Sequence, residues 1–364
     1  MKGTMPRYGL DLETAAPGQI LESPYEITID EAWRLQWQSV FPTSSRLTTS
    51  REYAASCGFD AIPVPPAMLL NMTLCFSVEP FSQSCRLHLG LEDARQEKPV
   101  AYGDTLRSFT RVDGLANTSR GDASVIHTTH ILVNQRDERV FSLKKRSYYD
   151  PLPVTHRETT AASPPGQESL FQAPTTTLID HFSGVATFPT APSPEWEVGS
   201  LILHPMVRPL GWSENLALST IYRNTHPIHW DAQRYGRDGI VVCGGFVQSL
   251  IFAAADRELK QVLDDTLLHS SHVNTVAPED RLGAISRILE VEVLSDRLER
   301  ITVKTLGLKN VDVARELTDT DIPEALLTLD PRKPSEIEAI CAESCPVLSN
   351  RIAMQATRSL LRPR

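Results

Sequence analysis

The sequence predicts an α+β protein in which one architectural unit is built twice. Each unit is a long buried helix wrapped by an antiparallel sheet, and a helical tail closes the chain. Three observations carry this expectation. Two segments, AMLLNMTLCFSV from residue 67 and SLIFAAA from residue 249, are apolar on nearly all sides, the pattern of a helix enclosed by other elements. Each precedes stretches in which apolar and polar residues alternate with period two, as half-buried strands do. Between the two sets, residues 151–178 are rich in Pro, Ser, Thr and Gln and have no period, which marks a linker or a loop crossing the surface.

In order, residues 1–27 are rich in Gly, Pro and Thr and read as an arm with little order of its own. The N-terminal unit spans 28–150. It begins with TIDEAWRLQWQSV (28–40), acidic early and apolar at helical spacing, which predicts a helix. A polar loop (42–49) and a short helix (50–57) follow, and Pro63, Pro65 and Pro66 lead into the first enclosed helix. From Arg86 the period becomes two, in RLHLGLEDARQEKPVAYGDTLRSFTRVDGL, DASVIHTTHILVN and RVFSLKKRSYY, with turn chemistry at Gly103-Asp104, 117–122 and 134–137.

The C-terminal unit spans 179–332 and repeats the order. Trp212–Ile221 reads as a helix whose Ser213-Glu214 start suits the helix dipole, and the polar loop NTHPIHWD comes next. A long helix is expected over 245–263, then strands in RLGAISRILEVEVL, ERITVKTLGLKN and ALLTLDP. Residues 333–364, with PSEIEAICAESC and SNRIAMQATRSLL, are expected to form the helical tail.

Bulk properties narrow the partners. The 364 residues allow two domains or one composite core, and 41% apolar with 22% charged residues is ordinary for a globular chain. A net charge of −9 gives nucleic acid or an anionic membrane no electrostatic support. No run of about 18 apolar residues suggests a span, and the first residues lack the apolar core of a signal peptide. The six cysteines form no CxxC pair, so reduced, cytoplasmic surroundings are expected.

Residues 220–250 concentrate the chemistry. They hold Asn224, His226, His229 and Asp231, and then Cys243-Gly244-Gly245 opens the second enclosed helix. Polar groups followed by a glycine turn into a buried helix have the form of an active site. His226, His229 and Asp231 also suggest a metal, but Pro227 breaks the helical spacing such a site uses, and none is expected.

Two such units in one chain resemble a double hot-dog protein of the MaoC-like hydratase type. Its motif, Gly-Asp-x-Asn-Pro-x-His, supplies a catalytic Asp and His. The matching positions are Arg223, Asn224, Thr225, His226, Pro227, Ile228 and His229: the final His is kept, Asp has become Asn, and the following Asn has become His. More closely, the chain resembles the mesaconyl-CoA (2-methylfumaryl-CoA) hydratase family, also called β-methylmalyl-CoA dehydratase. The resemblance lies in Arg223-Asn224-Thr225, His229-Trp230-Asp231, Gly244-Gly245, His272-Val273-Asn274 and a weaker Glu279-Asp280-Arg281. The first half matches as a degenerate copy, its loop SSRLTTSREYAASCGF lacking the motif's Asp and His, with Gly103-Asp104-Thr105-Leu106 at the sheet turn. Coverage runs from about residue 28 to 332. Phe246 stands where the family tends to carry His, and CFSVEPFSQSC is unlike it.

The resemblance implies a cofactor-free hydro-lyase acting on an enoyl or 3-hydroxyacyl thioester, on a short branched or dicarboxylyl-CoA such as mesaconyl-CoA. Two alternatives stand: a dehydratase or cyclase for a bulkier polyketide-like substrate, and a non-catalytic double hot-dog binding protein. The chain is expected to act as a monomeric pseudo-dimer or a homodimer. His229 is the candidate acid and base, since imidazole titrates near neutral pH, and Asn224 the candidate holder of water. Asp231 is the nearest carboxylate, or else a cap for its loop. Gly244 and Gly245 offer N–H groups to the thioester oxygen, or permit close packing. Arg223 faces a distal carboxylate or pairs with Asp231, while His272 and Asn274 line the pocket. His226 is a loop histidine or a catalyst. Lys144-Lys145-Arg146 meets CoA phosphates or ends a solvated strand, and His127 and His130 are structural, on opposite faces of one strand.

Overall fold

Order begins earlier than the composition suggests. The computed structural model describes residues 3–154, 156, 166–175, 177–189 and 196–364, and strand β1 (Ile20–Thr28) lies inside the stretch expected to be an unordered arm. Only Ser23 of that strand is buried, and a bulge falls between Glu22 and Glu26, around Pro24. An edge strand tolerates proline and polar residues, so its apolar signal is weak.

The first unit then follows the predicted order. Helix α1 (Glu31–Val40) is capped by Asp30 and α2 (Arg51–Ser56) by Ser50, each side chain accepting from a backbone N–H of the first turn. Helix α3 (Pro66–Phe76) carries Pro at its start, where no N–H is needed, and every residue from Met68 onward is buried. The alternating stretches become β2 (Leu87–Gln96), β3 (Thr105–Asn117), β4 (Ser124–Val133) and β5 (Arg139–Tyr149). Part of the 151–178 linker lies outside the described residues, and a short helix, α4 (Leu178–Ser183), ends it.

The second unit holds β6 (Leu201–Pro209), α5 (Trp212–Ile221), α6 (Ala232–Tyr235), α7 (Gly244–Leu259), β7 (Asp264–His272), β8 (Arg281–Val293) and β9 (Leu298–Lys309). After α8 (Val313–Glu316) and α9 (Pro334–Ser344) comes β10 (Ile352–Pro363). The strands form one sheet in the order β1-β3-β4-β5-β2-β7-β10-β9-β8-β6. Read inward from its two edges, the sheet has the same pattern twice, and β10 takes in the second unit the place of β5 in the first. The halves join where Leu91, Glu92 and Ala94 pair with Ser270, His269 and Leu267.

This corrects the expected tail. Residues 333–364 supply one helix and then a strand seated between β9 and β7. All but one of the β10 residues are buried, so both faces are covered and no clean alternation shows in the sequence. The expected strand ALLTLDP is likewise not one; it contains only a 3₁₀ turn, Glu324–Leu326.

Both enclosed helices belong to one apolar cluster, which contains Met68, Cys75, Phe246 and Leu250. Their crossing is close. A Cβ at Gly245 would run into Asn71 Oδ1 and lie 3.2 Å from Leu74. Gly245→Ala is therefore expected to destabilise the chain by roughly 1–3 kcal/mol, the cost of overpacking a tight core. Chemical denaturation measures this, and a variant as stable as its parent would show that α3 yields freely.

Candidate active site

The polar loop is built by a chain reversal at the end of α5. Arg223 adopts a φ of +59°, and the Asn224 N–H returns to the Ser219 carbonyl at 2.8 Å. That turn buries Asn224, whose Oδ1 accepts the His226 N–H at 3.2 Å. His226 in turn caps the 3₁₀ turn Pro227–His229, its Nδ1 accepting the Ile228 N–H at 3.3 Å. The imidazole of His226 is therefore neutral, and burial pushes its pKa down to about 4.

His229 is held differently. Its Nδ1–H donates to the Val241 carbonyl at 2.8 Å, which leaves Nε2 as the nitrogen free for proton transfer. Asn215, buried on α5, donates to the His229 carbonyl at 2.7 Å. Both residues line a cavity of about 310 Å³ with Trp212, Ser213, Leu216 and Trp230. The rings of His226 and His229 lie 5.9 Å apart.

The glycine turn lies at the start of α7, a helix of 16 residues. Among the described residues the Gly244 N–H has no hydrogen-bond partner, while the Phe246 N–H donates to the Cys243 carbonyl at 2.9 Å. Cys243 also hydrogen-bonds Cys75, from the last turn of α3. The bond from Cys75 holds Cys243 below the ordinary thiol range, and burial lifts Cys75 above it. His272, at the end of β7, presses on the Cα of Gly244 and meets the ring of His88 edge-on at 5.7 Å. Packing thus requires both glycines, whatever their N–H groups do.

The structure brings together Asn224, His226, His229, Gly244, Gly245 and His272, and sets three expected residues apart. Arg223 is exposed, donates to the Thr220 carbonyl at 3.2 Å, and shares no ion pair with Asp231 among the described residues. Asp231 caps α6 by accepting the Arg234 N–H at 3.1 Å. Asn274 donates to Glu338 at 2.8 Å and to the Ile352 carbonyl at 2.9 Å, which ties α9 to the start of β10 and not to the cavity. His127 and His130 do lie on opposite faces of β4: His127 is exposed, and His130 is buried between Thr110 and Thr128. The Lys144-Lys145-Arg146 triplet divides, with Lys144 paired outward to Asp93 and Lys145 turned inward. Sequence reasoning passed over Cys75 and Asn215, for which only their place on predicted helices gave a signal.

The buried histidines make a pH dependence. His226, His269 and His272 are each pushed to about 4, and His88, His130 and His204 are also lowered, all chiefly by burial. Unfolding returns each to about 6.5. From there down to the folded values the unfolded chain binds more protons, so stability falls as pH falls. Asp256 and Asp264, raised by burial to about 6 and about 7, act in the opposite sense. Six imidazoles outweigh two carboxyls, so the Tm is expected to drop between pH 7 and pH 5. A Tm that rises on acidification would contradict this balance.

Comparison with known proteins agrees with this architecture. Residues 30–143 match the family model described as FAS1-like, dehydratase domain region. A MaoC-domain dehydratase structure from Chloroflexus aurantiacus superposes with a TM-score of 0.77 at 22% identity, over 100% of this chain and 99% of that one. A conserved hypothetical protein from Mycobacterium tuberculosis, described as having a double hot-dog fold, superposes with a TM-score of 0.70 at 17% identity, over 97% and 98% of the two chains. These likenesses show the double hot-dog fold. Within it, the chain is similar to the mesaconyl-CoA hydratase of Cereibacter sphaeroides, 25% identical over 324 residues, which cover 86% of this chain and 94% of that protein. The resemblance drawn from the sequence holds: the chain is similar to hydratases and dehydratases of this type.

Proposed function

We propose that this chain adds water to, or removes it from, an enoyl or 3-hydroxyacyl thioester carried on CoA, with a short branched or dicarboxylyl acyl group of the mesaconyl kind. The observation that carries the proposal is the fixed tautomer of His229. With Nδ1–H committed to Val241, Nε2 is a base beside the cavity. In hydration, Nε2 takes one proton from water as the oxygen attacks the β-carbon. The electron pair of the double bond moves onto the thioester as an enolate, and the imidazolium then returns the proton to the α-carbon. The Gly244 N–H, at a helix N-terminus, is the donor available for the enolate oxygen. Asn224 holds the water; an amide serves as a hydrogen-bond partner but not as a base.

Every step is reversible, so the same groups dehydrate a 3-hydroxyacyl thioester. The dehydratase-region match over 30–143 favours that direction as the second reading, with a bulkier acyl chain as its substrate. Two units in one chain supply a pseudo-dimer without a second copy. No described helix is long and apolar enough to cross a membrane.

The test is direct. Purified protein is mixed with mesaconyl-CoA or crotonyl-CoA, and the absorbance of the conjugated thioester is followed. A decay with either supports the assignment, and a flat trace with both sinks it.

A further inference from the structure

The two units place the same turns in the same order. Val64, just ahead of α3, donates its N–H to the Val100 carbonyl at 2.8 Å, and Val242, just ahead of α7, donates to the Val276 carbonyl at 2.8 Å. A 3₁₀ turn, Arg46–Thr48, follows α1 at the spacing at which Pro227–His229 follows α5. Thr43, Ser45 and Thr48 therefore stand in the first unit where Asn224, His226 and His229 stand in the second, and Pro66 stands where Gly244 does. The imidazoles are gone, and proline has no N–H to offer an oxyanion.

The space at these positions is nonetheless kept. Thr43, Ser45, Thr48 and Pro66 line a cavity of about 80 Å³ together with residues of α7 and β7. Its chemistry differs from that of the second unit. Asp256 of α7 and Asp264 and Asp265 of β7 reach it, and none of its lining residues is a base. Arg358, outside the lining, holds Asp265 at 2.5 Å and lies 4.0 Å from Asp256, which also accepts the Thr43 hydroxyl at 2.6 Å.

Asp264 is left without such support. It is 8% exposed, its Oδ2 accepts the Thr266 hydroxyl at 3.2 Å, and its buried Oδ1 has no hydrogen-bond partner among the described residues. Arg300, the base whose charge favours this carboxylate, is itself paired with Glu292 at 2.8 Å. Burial first, and then the neighbouring Asp265 charge, raise the Asp264 pKa to about 7. A buried acceptor without a donor is costly, and native proteins rarely leave one so. The rest of the lining is largely apolar and includes Trp37 and Phe41, whose rings lie 4.1 Å apart.

We propose that this cavity is a second binding site, for a small primary ammonium ion, with Asp264 as its counter-ion. The ammonium supplies the positive charge that the lining lacks and N–H donors for Asp264 Oδ1 and the Ser45 and Thr48 hydroxyls. Its alkyl part packs on Trp37 and Phe41, and aromatic walls suit a cation as well. One water needs roughly 10–15 Å³ of such space, so the cavity takes an ion of only a few heavy atoms. A metal ion fits less well, since among the described residues no group of three or more His, Cys, Asp or Glu could hold one. The site does not depend on the hydro-lyase assignment.

The experiment titrates the full chain with propylammonium, propan-1-ol and propionate at pH 8 and constant ionic strength, reading binding by saturation-transfer NMR. The alcohol matches the ammonium in size without its charge, and propionate reverses the charge. Propylammonium is expected to bind at least about 10-fold more tightly than either. Asp264→Asn keeps the shape of the side chain and should weaken propylammonium roughly 10–100-fold, the worth of a hydrogen bond to a charged group, while propan-1-ol stays within a few-fold of its parent value. Comparable affinities for propylammonium and propan-1-ol in the parent, which need no variant to measure, overturn the proposal. So does a preference that survives in Asp264→Asn, and so does the absence of binding by all three probes, which leaves the cavity to water. Turnover of mesaconyl-CoA reports on the other site, so the two assignments fail separately.

Discussion

His229→Gln is expected to lower kcat by about 10²–10⁴-fold, the usual contribution of a positioned acid–base group, with KM close to that of the parent. Glutamine keeps a hydrogen-bonding side chain of similar size but cannot carry a proton between water and carbon. The loss should fall on kcat because the imidazole acts on the proton in flight and not on the thioester in the ground state. Asp231→Asn is the matched control. Asp231 caps α6 through one backbone N–H, and Asn caps about as well as Asp, so this variant should turn over like its parent. Should Asp231→Asn lose activity on the scale of His229→Gln, the carboxylate is the base and the assignment of His229 is wrong. Initial rates with mesaconyl-CoA over a range of concentrations decide between them.

The same contrast shows how much of the site the sequence made legible. His229 and Asn224 stood out because they sit within one short loop at motif positions, and the structure brings both to the start of α7. Helices α3 and α7 were legible for a related reason: a helix enclosed by a sheet must be apolar all round, and few other elements are. What stayed hidden depends on contacts across the chain. Cys75 meets Cys243 over a separation of 168 positions in the sequence, and no local pattern announces that pairing. Lys145 lies in a basic triplet that reads as a solvated strand end, yet strand alternation turns its neighbour out and Lys145 in. Strand β7, DDTLLHSSH, is too polar to announce itself because it forms the seam between units, half open on one face. In β10 the burial of both faces erased the alternation by which strands are recognised.

That last strand also carries the largest expected effect on stability. Arg358, 1% exposed in β10, donates through Nε to Asp265 Oδ1 at 3.1 Å and through Nη2 to Oδ2 at 2.5 Å. Its guanidinium lies 3.9 Å from the centre of the Phe252 ring and 4.0 Å from Asp256, which itself accepts the Thr43 hydroxyl at 2.6 Å. Arg358 thus ties β10 to β7 and to the end of α7, where a second, smaller cavity of about 80 Å³ is lined by Thr43, Asp256, Asp264 and Asp265. Arg358→Met keeps most of the packing and removes the charge that pairs with Asp265 and lies 4.0 Å from Asp256. The expected loss is about 3–5 kcal/mol, the scale for leaving buried charge unpaired. The sign of its pH dependence follows. Without the guanidinium the pKa of Asp256, already raised by burial to about 6, rises further, so the folded variant holds a proton that the unfolded chain releases. Its stability therefore falls as pH rises, and the deficit is larger at pH 8 than at pH 5. Arg358→Met combined with Asp265→Asn removes both sides of the pair and should recover a large part of the loss, because replacing a whole buried ion pair costs far less than breaking it. Denaturant midpoints for the three proteins at both pH values test this. A double variant no more stable than Arg358→Met would mean that the arginine acts through its packing on Phe252 and not through its charge.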